Sequence, residues 1–332
     1  MAVQNKKYNL QFNYQILEKK DSDLYDFYAQ KIFNWYQEKH DYPMFEEVEF
    51  LNSFERTHCP RCYSPKIIKN GYTPNLLKKY RCKDCNFSFN QLTNTFLDSK
   101  KISLGDWIQF LLGLFSFNST KSTSFLNRNA TKTGIYWLEK VFIVLKQYQE
   151  NIILNKKVWI DETFVSVNKK HQKLKNGKLY RGISRNKICI CTGTNKKQTF
   201  LIVSKKSKLD EKTCFEIYKD HIEKGSCLIH DSEKSHNILV KELDLKEKKY
   251  LAKEIKALNG EKNPLHQINK IHSLLKYFLT VHRGINKDNL QNWLNLFSFI
   301  INKPFDQNLK VILFIKMAFS CNFTLRYRDK FN

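Results

Sequence analysis

Two Cys-x-x-Cys pairs constrain the fold of this chain more than any other feature of its sequence. Cys59 and Cys62 form the first pair, Cys82 and Cys85 form the second, and nineteen residues separate them. Each Cys-x-x-Cys turn can direct two thiolates at one ion, and a hairpin between the turns closes the tetrahedral four-thiolate site typical of structural zinc. Because so short a segment buries little core, we expect zinc binding to supply much of its folding free energy. The sequence therefore predicts a zinc ribbon over residues 55–98.

The alternative for these four cysteines is a pair of disulfides, which reducing compartments disfavour. The first fifteen residues lack the apolar core and cleavage site of a signal peptide. No stretch approaches the roughly 18 uninterrupted apolar residues of a membrane span. We therefore expect a cytoplasmic, nucleoid-associated protein that uses the cysteines for metal.

Cys189 and Cys191 alternate on a predicted strand and are interpreted as small buried hydrophobes.

The charge of the chain predicts a polyanionic partner. Its 57 Lys and Arg residues against 32 Asp and Glu give a net charge of +25, although residues 1–50 are net acidic. Such a field favours DNA through counterion release and steering. Four basic residues of the predicted ribbon are candidates for phosphate contacts: Lys78, Lys79, Arg81 and Lys83. The alternative is that the richness in Lys and Asn reflects an AT-biased genome.

The hydrophobic pattern changes along the chain and predicts five segments. Residues 1–54 contain a helical stripe over residues 22–39, and the ribbon follows. Residues 99–153 are predicted helices around a polar stretch, an order compatible with a helix-turn-helix or with a plain three-helix linker. Residues 154–305 are predicted to form an α/β RNase H-like core, from the order three strands, helix, strand, helix, with residues 241–258 a charged helix or loop. Residues 306–332 are assigned to a C-terminal tail.

Two acidic residues in apolar strands predict a catalytic metal site. Asp161 lies within "VWIDETF" and Asp231 ends "CLIHD", where a lone charge is costly unless it is paired or bound to a metal. Two such carboxylates can share the divalent cations of phosphoryl transfer, Mg²⁺ or Mn²⁺. The alternative for each acid alone is a helix cap or a salt bridge. Glu162 points to the opposite strand face and is treated as a neighbour rather than a ligand, while His230 and Glu233 flank Asp231 as candidate supporting groups.

The segment "HQINKIHSLLK" is a predicted helix with polar residues on one face, in a stretch from 263 to 287 that holds no Asp or Glu. At about 100° per residue, Asn269, His272 and Lys276 lie within an arc of about 60°. Asn263 and Pro264 are the predicted N-cap and first helical position. Asn269 can offer a carbonyl oxygen to a metal and Lys276 can hold a DNA phosphate. His272 either positions water or phosphate or serves as a packing histidine.

Together these motifs resemble the bacterial insertion-sequence transposases of the DDE superfamily that carry an N-terminal zinc ribbon. The resemblance covers about residues 55–303 and rests on "CPRC…CKDC", "IDET", "IHDSE" and "INKIHSLLKYF…HRGI…LQNWLNLF". It implies an RNase H-like catalytic domain in which Asp161 and Asp231 match the first two catalytic acids. Asn269 stands at the place of the third acid and Lys276 at the basic position seven residues later, an Asp-Asp-Asn type of catalytic set.

The function that this resemblance implies is a two-metal DNA transposase, which cleaves the ends of its element and joins them to target DNA. Because two ends must be held together, we expect a homodimer on double-stranded DNA. One alternative is a non-catalytic DNA-binding protein derived from such an enzyme, which the missing third carboxylate favours. The other is an RNase H-like nuclease.

Overall fold

The computed structural model describes residues 44–98, 104–166, 174–175, 178–179, 186–204, 209–255, 257–258, 260–282, 285, 288–321, 325–327 and 330. The helix predicted over residues 22–39 lies outside these ranges. The described part begins with helix α1 (Met44–Ser53). No helix in the described ranges is both long enough and apolar enough to cross a membrane.

A three-stranded antiparallel sheet follows α1, in the order β1 (Ile67–Tyr72), β2 (Lys78–Cys82) and β3 (Ser88–Asn90). The "NGY" stretch, whose Asn-Gly dipeptide is a sequence signal for a hairpin turn, lies at the end of β1 and not in the turn. There the pairing register with β2 shifts, and Gly71 adopts a φ of +72° that costs a residue without Cβ little. The glycine therefore makes a bulge, and the chain turns over residues 73–77.

Three helices connect this small sheet to the rest of the chain: α2 (Leu104–Phe115), α3 (Thr120–Leu126) and α4 (Thr131–Val144). A turn over residues 127–130 separates α3 from α4, and the two helices touch closely. A Cβ added at Gly134 would lie 1.8 Å from Ser124 Oγ. This arrangement is shared by a helix-turn-helix and a plain helical linker, so DNA recognition by these helices stays a prediction.

A five-stranded mixed sheet forms the second half of the chain. Its strands are β4 (Lys157–Ser166), β7 (Lys187–Thr194), β8 (Thr199–Val203), β9 (Cys227–Asp231) and β10 (Lys246–Tyr250), and the short hairpin β5 (Leu174–Lys175) and β6 (Lys178–Leu179) lies between β4 and β7. Their order in the sheet is β10–β9–β4–β7–β8. Strands β4, β7 and β8 pair antiparallel, whereas β9 pairs parallel to β4 and β10 parallel to β9. An antiparallel meander extended on its other side by two parallel strands is the arrangement of an RNase H-like core.

Strand β10 corrects the sequence analysis, which placed residues 241–258 in a charged helix or loop. Its sequence, KEKKY, lacks the apolar alternation by which a strand is recognised. The strand nevertheless pairs along all five residues with β9. It lies at an edge of the sheet, where lysine side chains tolerate solvent and discourage pairing with another chain.

Helices cover both faces of the large sheet. On one face, α5 (Glu211–Tyr218) and α6 (Asn237–Glu242) enclose a core with Val158, Ile160 and Leu228. On the other face lie α7 (Ala252–Ile255), α8 (His266–Val281) and α9 (Leu290–Ile301). Helix α10 (Gln307–Ser320) falls in the segment assigned to a tail, and its Phe314 is fully buried in the larger core.

Helix α8 begins later than the sequence predicts. Leu265 is its N-cap and His266 its first residue, so the assignment of Asn263 and Pro264 to the cap and the first position was wrong. Asn263 Oδ1 accepts a hydrogen bond from the Leu265 amide at 2.8 Å. The asparagine thus closes a local turn before the helix instead of capping it, while the Pro264 carbonyl accepts a hydrogen bond from Trp159 Nε1 at 2.9 Å.

Candidate active site and metal centres

The four predicted zinc ligands converge in the small sheet. Cys59 Sγ lies 3.6 Å from Cys85 Sγ, and Cys62 Sγ lies 3.6 Å from Cys82 Sγ. All four sulfurs fall within 4.8 Å of one another. A tetrahedron with Zn–S bonds of about 2.3 Å has sulfur–sulfur edges of about 3.8 Å, so the donor set fits one zinc ion. The backbone amide of Cys85 is the main cause that lowers the pKa of Cys82 to about 7, which favours the metal-binding thiolate.

The predicted DNA-contacting residues of the ribbon differ in their availability. Lys78 Nζ donates to the Asn52 carbonyl at 2.9 Å, so this lysine holds the ribbon against α1. Lys79 is half-buried, whereas Arg81 and Lys83 are exposed. Phosphate contacts remain a prediction for this surface, and Arg81 and Lys83 are its most accessible cations.

The two predicted catalytic aspartates lie on neighbouring parallel strands. The pairing ends with Trp159 of β4 opposite Ile229 of β9. Asp161 and Asp231 each follow two residues later on the same face, close enough for their charges to interact. Burial is the main cause that raises the pKa of Asp161 to about 7, and the charges of Glu162 and Asp231 raise it further. Carboxylates crowded in this way repel one another, and an oxygen-seeking divalent cation would relieve the repulsion.

Helix α8 brings His272 to the same place. His272 Nδ1 lies 3.6 Å from Asp161 Oδ2. Burial and then the charge of Lys276 lower the pKa of His272 to about 4, so its imidazole is neutral near pH 7. Its Nε2 is buried without a hydrogen-bond partner among the described atoms. Asn269 and Lys276 are exposed one turn to either side of His272, and the role of Asn269 as a metal ligand remains a prediction.

Behind Asp161, the opposite face of the sheet holds a hydrogen-bonded network that the sequence analysis missed. Glu162 Oε1 lies 3.1 Å from Tyr218 Oη and 3.1 Å from His236 Nε2. His236 Nδ1 lies 3.0 Å from His230 Nδ1, and His230 Nε2 lies 3.1 Å from Glu247 Oε1. Burial lowers the pKa of His236, but the hydrogen bond to Glu162 and its charge raise it above the ordinary value.

One sequence signal pointed to this network. An acid next to Asp161 on an apolar strand must face the buried side, where it requires polar partners. Glu162 was interpreted from the sequence only as a neighbour of Asp161, and no local pattern singles out His236. Of the two residues flanking Asp231, His230 belongs to the network. Glu233 is exposed, and its backbone amide donates a hydrogen bond to Asp231 Oδ1 at 3.1 Å.

Comparison with known proteins finds relatives among transposable elements. Residues 153–302 match the ISXO2-like transposase domain. The chain is 21% identical over 272 residues to an uncharacterized protein in transposable element ISH50 of Halobacterium salinarum, covering 77% of this chain and 90% of that protein. It is 44% identical over 39 residues to the insertion element iso-IS1N protein InsA of Shigella dysenteriae, covering 12% of this chain and 42% of that protein.

Among solved structures, the Mos1 strand transfer complex is similar at 11% identity and a TM-score of 0.28, covering 66% of this chain and 78% of that chain. The RNase H-like arrangement rests on the strand order of the large sheet, β10–β9–β4–β7–β8. The matched transposase domain contains Asp161, Asp231 and helix α8. Residues 153–302 are thus similar to an ISXO2-like transposase domain, and this similarity supports DNA transposition as the function of the chain.

Proposed function

We propose that this transposase cleaves DNA at the ends of its insertion sequence and transfers the freed strand into target DNA, in a reaction that depends on divalent metal. The placement of Asp161 beside Asp231 on parallel strands carries the proposal. The raised pKa of Asp161 supports it, because burial and neighbouring acids disfavour its charge unless a cation is bound.

Asp161 and Asp231 would hold the divalent cations, Mg²⁺ or Mn²⁺, and Asn269 would provide a neutral third ligand from α8. Two such ions, when bound, activate the attacking oxygen and stabilise the leaving oxygen of phosphoryl transfer. The neutral imidazole of His272, 3.6 Å from Asp161 Oδ2, would orient that carboxylate. Lys276, exposed one turn further along the helix, would bind a DNA phosphate as a point charge.

The remaining parts of the chain would bind and position DNA. We propose that the four cysteines hold structural zinc, and that the ribbon and helices α2–α4 recognise the element ends. The chain would act as a homodimer on double-stranded DNA, because cleavage and joining require two ends in one complex. A cytoplasmic, nucleoid-associated location follows from this partner.

The proposal is tested with DNA that carries the terminal inverted repeats flanking the gene. Zinc-loaded protein should nick or join this DNA with Mg²⁺ or Mn²⁺, and Asp161→Asn or Asp231→Asn should abolish the reaction while end binding persists. Asp220→Asn is the matched control, since Asp220 is an exposed aspartate in the turn that follows α5. Tight end binding without cleavage in either metal would refute the catalytic proposal and favour a DNA-binding protein derived from a transposase. Cleavage without regard to the repeats would favour a nuclease.

A further inference from the structure

The network on the opposite face of the sheet contains five polar side chains: Tyr218, Glu162, His236, His230 and Glu247. It runs from the buried Tyr218 to Glu247, which is exposed on the edge strand β10. Both histidine side chains are completely buried, and the Glu162 side chain is 11% exposed. Buried polar groups of this kind are costly unless each has a partner. Here each side chain has a hydrogen-bond partner in the network, at distances of 3.0 to 3.1 Å.

The donors and acceptors of this network are set from its two ends. The Glu247 carboxylate only accepts, so His230 donates from Nε2 and accepts at Nδ1. His236 must then donate from Nδ1 to His230. At the other end, the Glu162 carboxylate accepts from both the Tyr218 hydroxyl and His236 Nε2. The His236 ring is therefore held by a hydrogen bond on each of its nitrogens.

The network also touches the predicted metal ligands. His236 Nδ1 lies 3.8 Å from Asp231 Oδ1, and Glu162 is covalently next to Asp161 on β4. The His236 ring thus contacts the Asp231 carboxylate from the buried side. At 3.8 Å this is a contact and not a hydrogen bond, since His236 Nδ1 bonds His230 instead. The other ring nitrogen of His236, Nε2, is hydrogen-bonded to Glu162 on β4. Groups that support metal ligands from behind fix the orientation of those ligands, and their loss typically weakens metal binding about 10- to 100-fold.

We propose that Glu162 and His236 are positioning residues, which hold the Asp231 carboxylate in the orientation that binds the divalent cation. The inference rests on the proposed function only in taking Asp231 as a metal ligand. Ligand atoms of His230, Asp231 and His236 lie within 4.8 Å of one another, but both nitrogens of His236 are engaged by His230 and Glu162. In the proposed role Glu162 and His236 therefore act through the aspartates and not as metal ligands or DNA contacts. They act by fastening β4 to the end of β9, so that Asp161 and Asp231 keep their spacing before any cation arrives.

The test measures Mn²⁺ binding by zinc-loaded protein without DNA, from the electron paramagnetic resonance signal of free Mn²⁺. His236→Gln keeps a donor near Glu162 but loses the Nδ1 side of the ring, and it should raise the Mn²⁺ dissociation constant by about tenfold or more. Glu162→Gln keeps the shape of the side chain and should also raise the Mn²⁺ dissociation constant. Unchanged zinc content and thermal midpoint identify variants that remain folded.

The matched control is His221→Gln. His221 is a buried histidine on the same face of the sheet but outside the network. Its Nδ1 donates a hydrogen bond to the Ile152 carbonyl at 2.8 Å, and its ring stacks on Phe200. The control should bind Mn²⁺ as the wild type does.

Three results would overturn the inference: His236→Gln with wild-type affinity, His221→Gln with an equal loss, or a wild-type protein that binds no Mn²⁺. Mn²⁺ binding that falls in His236→Gln would support the inference even if the wild type never cleaves DNA, which would refute only the proposed function.

Discussion

Replacing the predicted catalytic residue Asp161 with Asn should make the metal-free protein more stable. The carboxyl group of Asp161 is mostly buried, with 22% of its side chain exposed, and it lies beside the acids Glu162 and Asp231. Asn has nearly the same shape and keeps an oxygen for the hydrogen bond that Asp161 Oδ1 accepts from the Glu162 amide at 2.8 Å. The substitution therefore removes a buried charge while it keeps the packing.

The magnitude follows from the pKa of Asp161, which rises from 3.8 to about 7 on folding. At about 1.4 kcal/mol for each pKa unit, the charged carboxylate costs the folded state at most about 4 kcal/mol at pH 8. Screening by solvent at the partly exposed side chain reduces this, so we expect Asp161→Asn to gain roughly 2 kcal/mol. For a domain of this size the gain corresponds to a rise of roughly 4–8 °C in the thermal midpoint.

The sign of the pH dependence follows from the same linkage. Because the pKa of Asp161 is higher in the folded than in the unfolded state, its contribution to stability is complete below pH 4 and is lost as the pH rises through 7. The advantage of Asp161→Asn should therefore be small near pH 4 and reach its full size by pH 8. Added Mg²⁺ should stabilise the wild type by mass action and leave the variant unchanged.

The assay is urea denaturation of zinc-loaded protein at several pH values between 4 and 8, in buffers freed of other divalent metals by chelating resin. Asp220→Asn makes the same change in net charge at an exposed site, and its stability should stay within about 0.5 kcal/mol of the wild type. Two results would refute a destabilising charge at Asp161: an Asp161→Asn variant no more stable than the wild type at pH 8, or a stability gain of equal size at pH 4 and pH 8.

Three further predictions address other parts of the chain. Asn269→Ala should lower the rate of end cleavage about tenfold or more if the amide is a working ligand, whereas a gain of activity in Asn269→Glu would show a decayed site. Gly134→Ala should cost about 1–3 kcal/mol in urea denaturation because its Cβ would meet Ser124 Oγ at 1.8 Å, and adding Ser124→Ala should restore most of the loss. Cys82→Ser should release zinc, measured by atomic absorption, and should expose the ribbon to proteolysis, since metal binding supplies much of its folding free energy; zinc retained at the wild-type level would contradict the four-thiolate site.

The sequence by itself determined the features that depend on local pattern. The spacing of Cys59, Cys62, Cys82 and Cys85 predicted thiolates that the fold brings within bonding range of one ion. Strands β4, β7, β8 and β9 were predicted because their apolar runs must be buried, and an acid inside such a run is conspicuous. That physical cost is the reason Asp161 and Asp231 could be singled out without a structure.

Only the tertiary structure decided the features that depend on which surfaces meet. Strand β10 carries no apolar alternation and becomes a strand because the edge of β9 offers it backbone partners. Glu162 and His236 are 74 residues apart, and no local pattern relates them. They meet because β4 and the end of β9 lie side by side, and on the buried face behind the aspartates each polar group must find its partners within the network, with Tyr218 and His230 as the others.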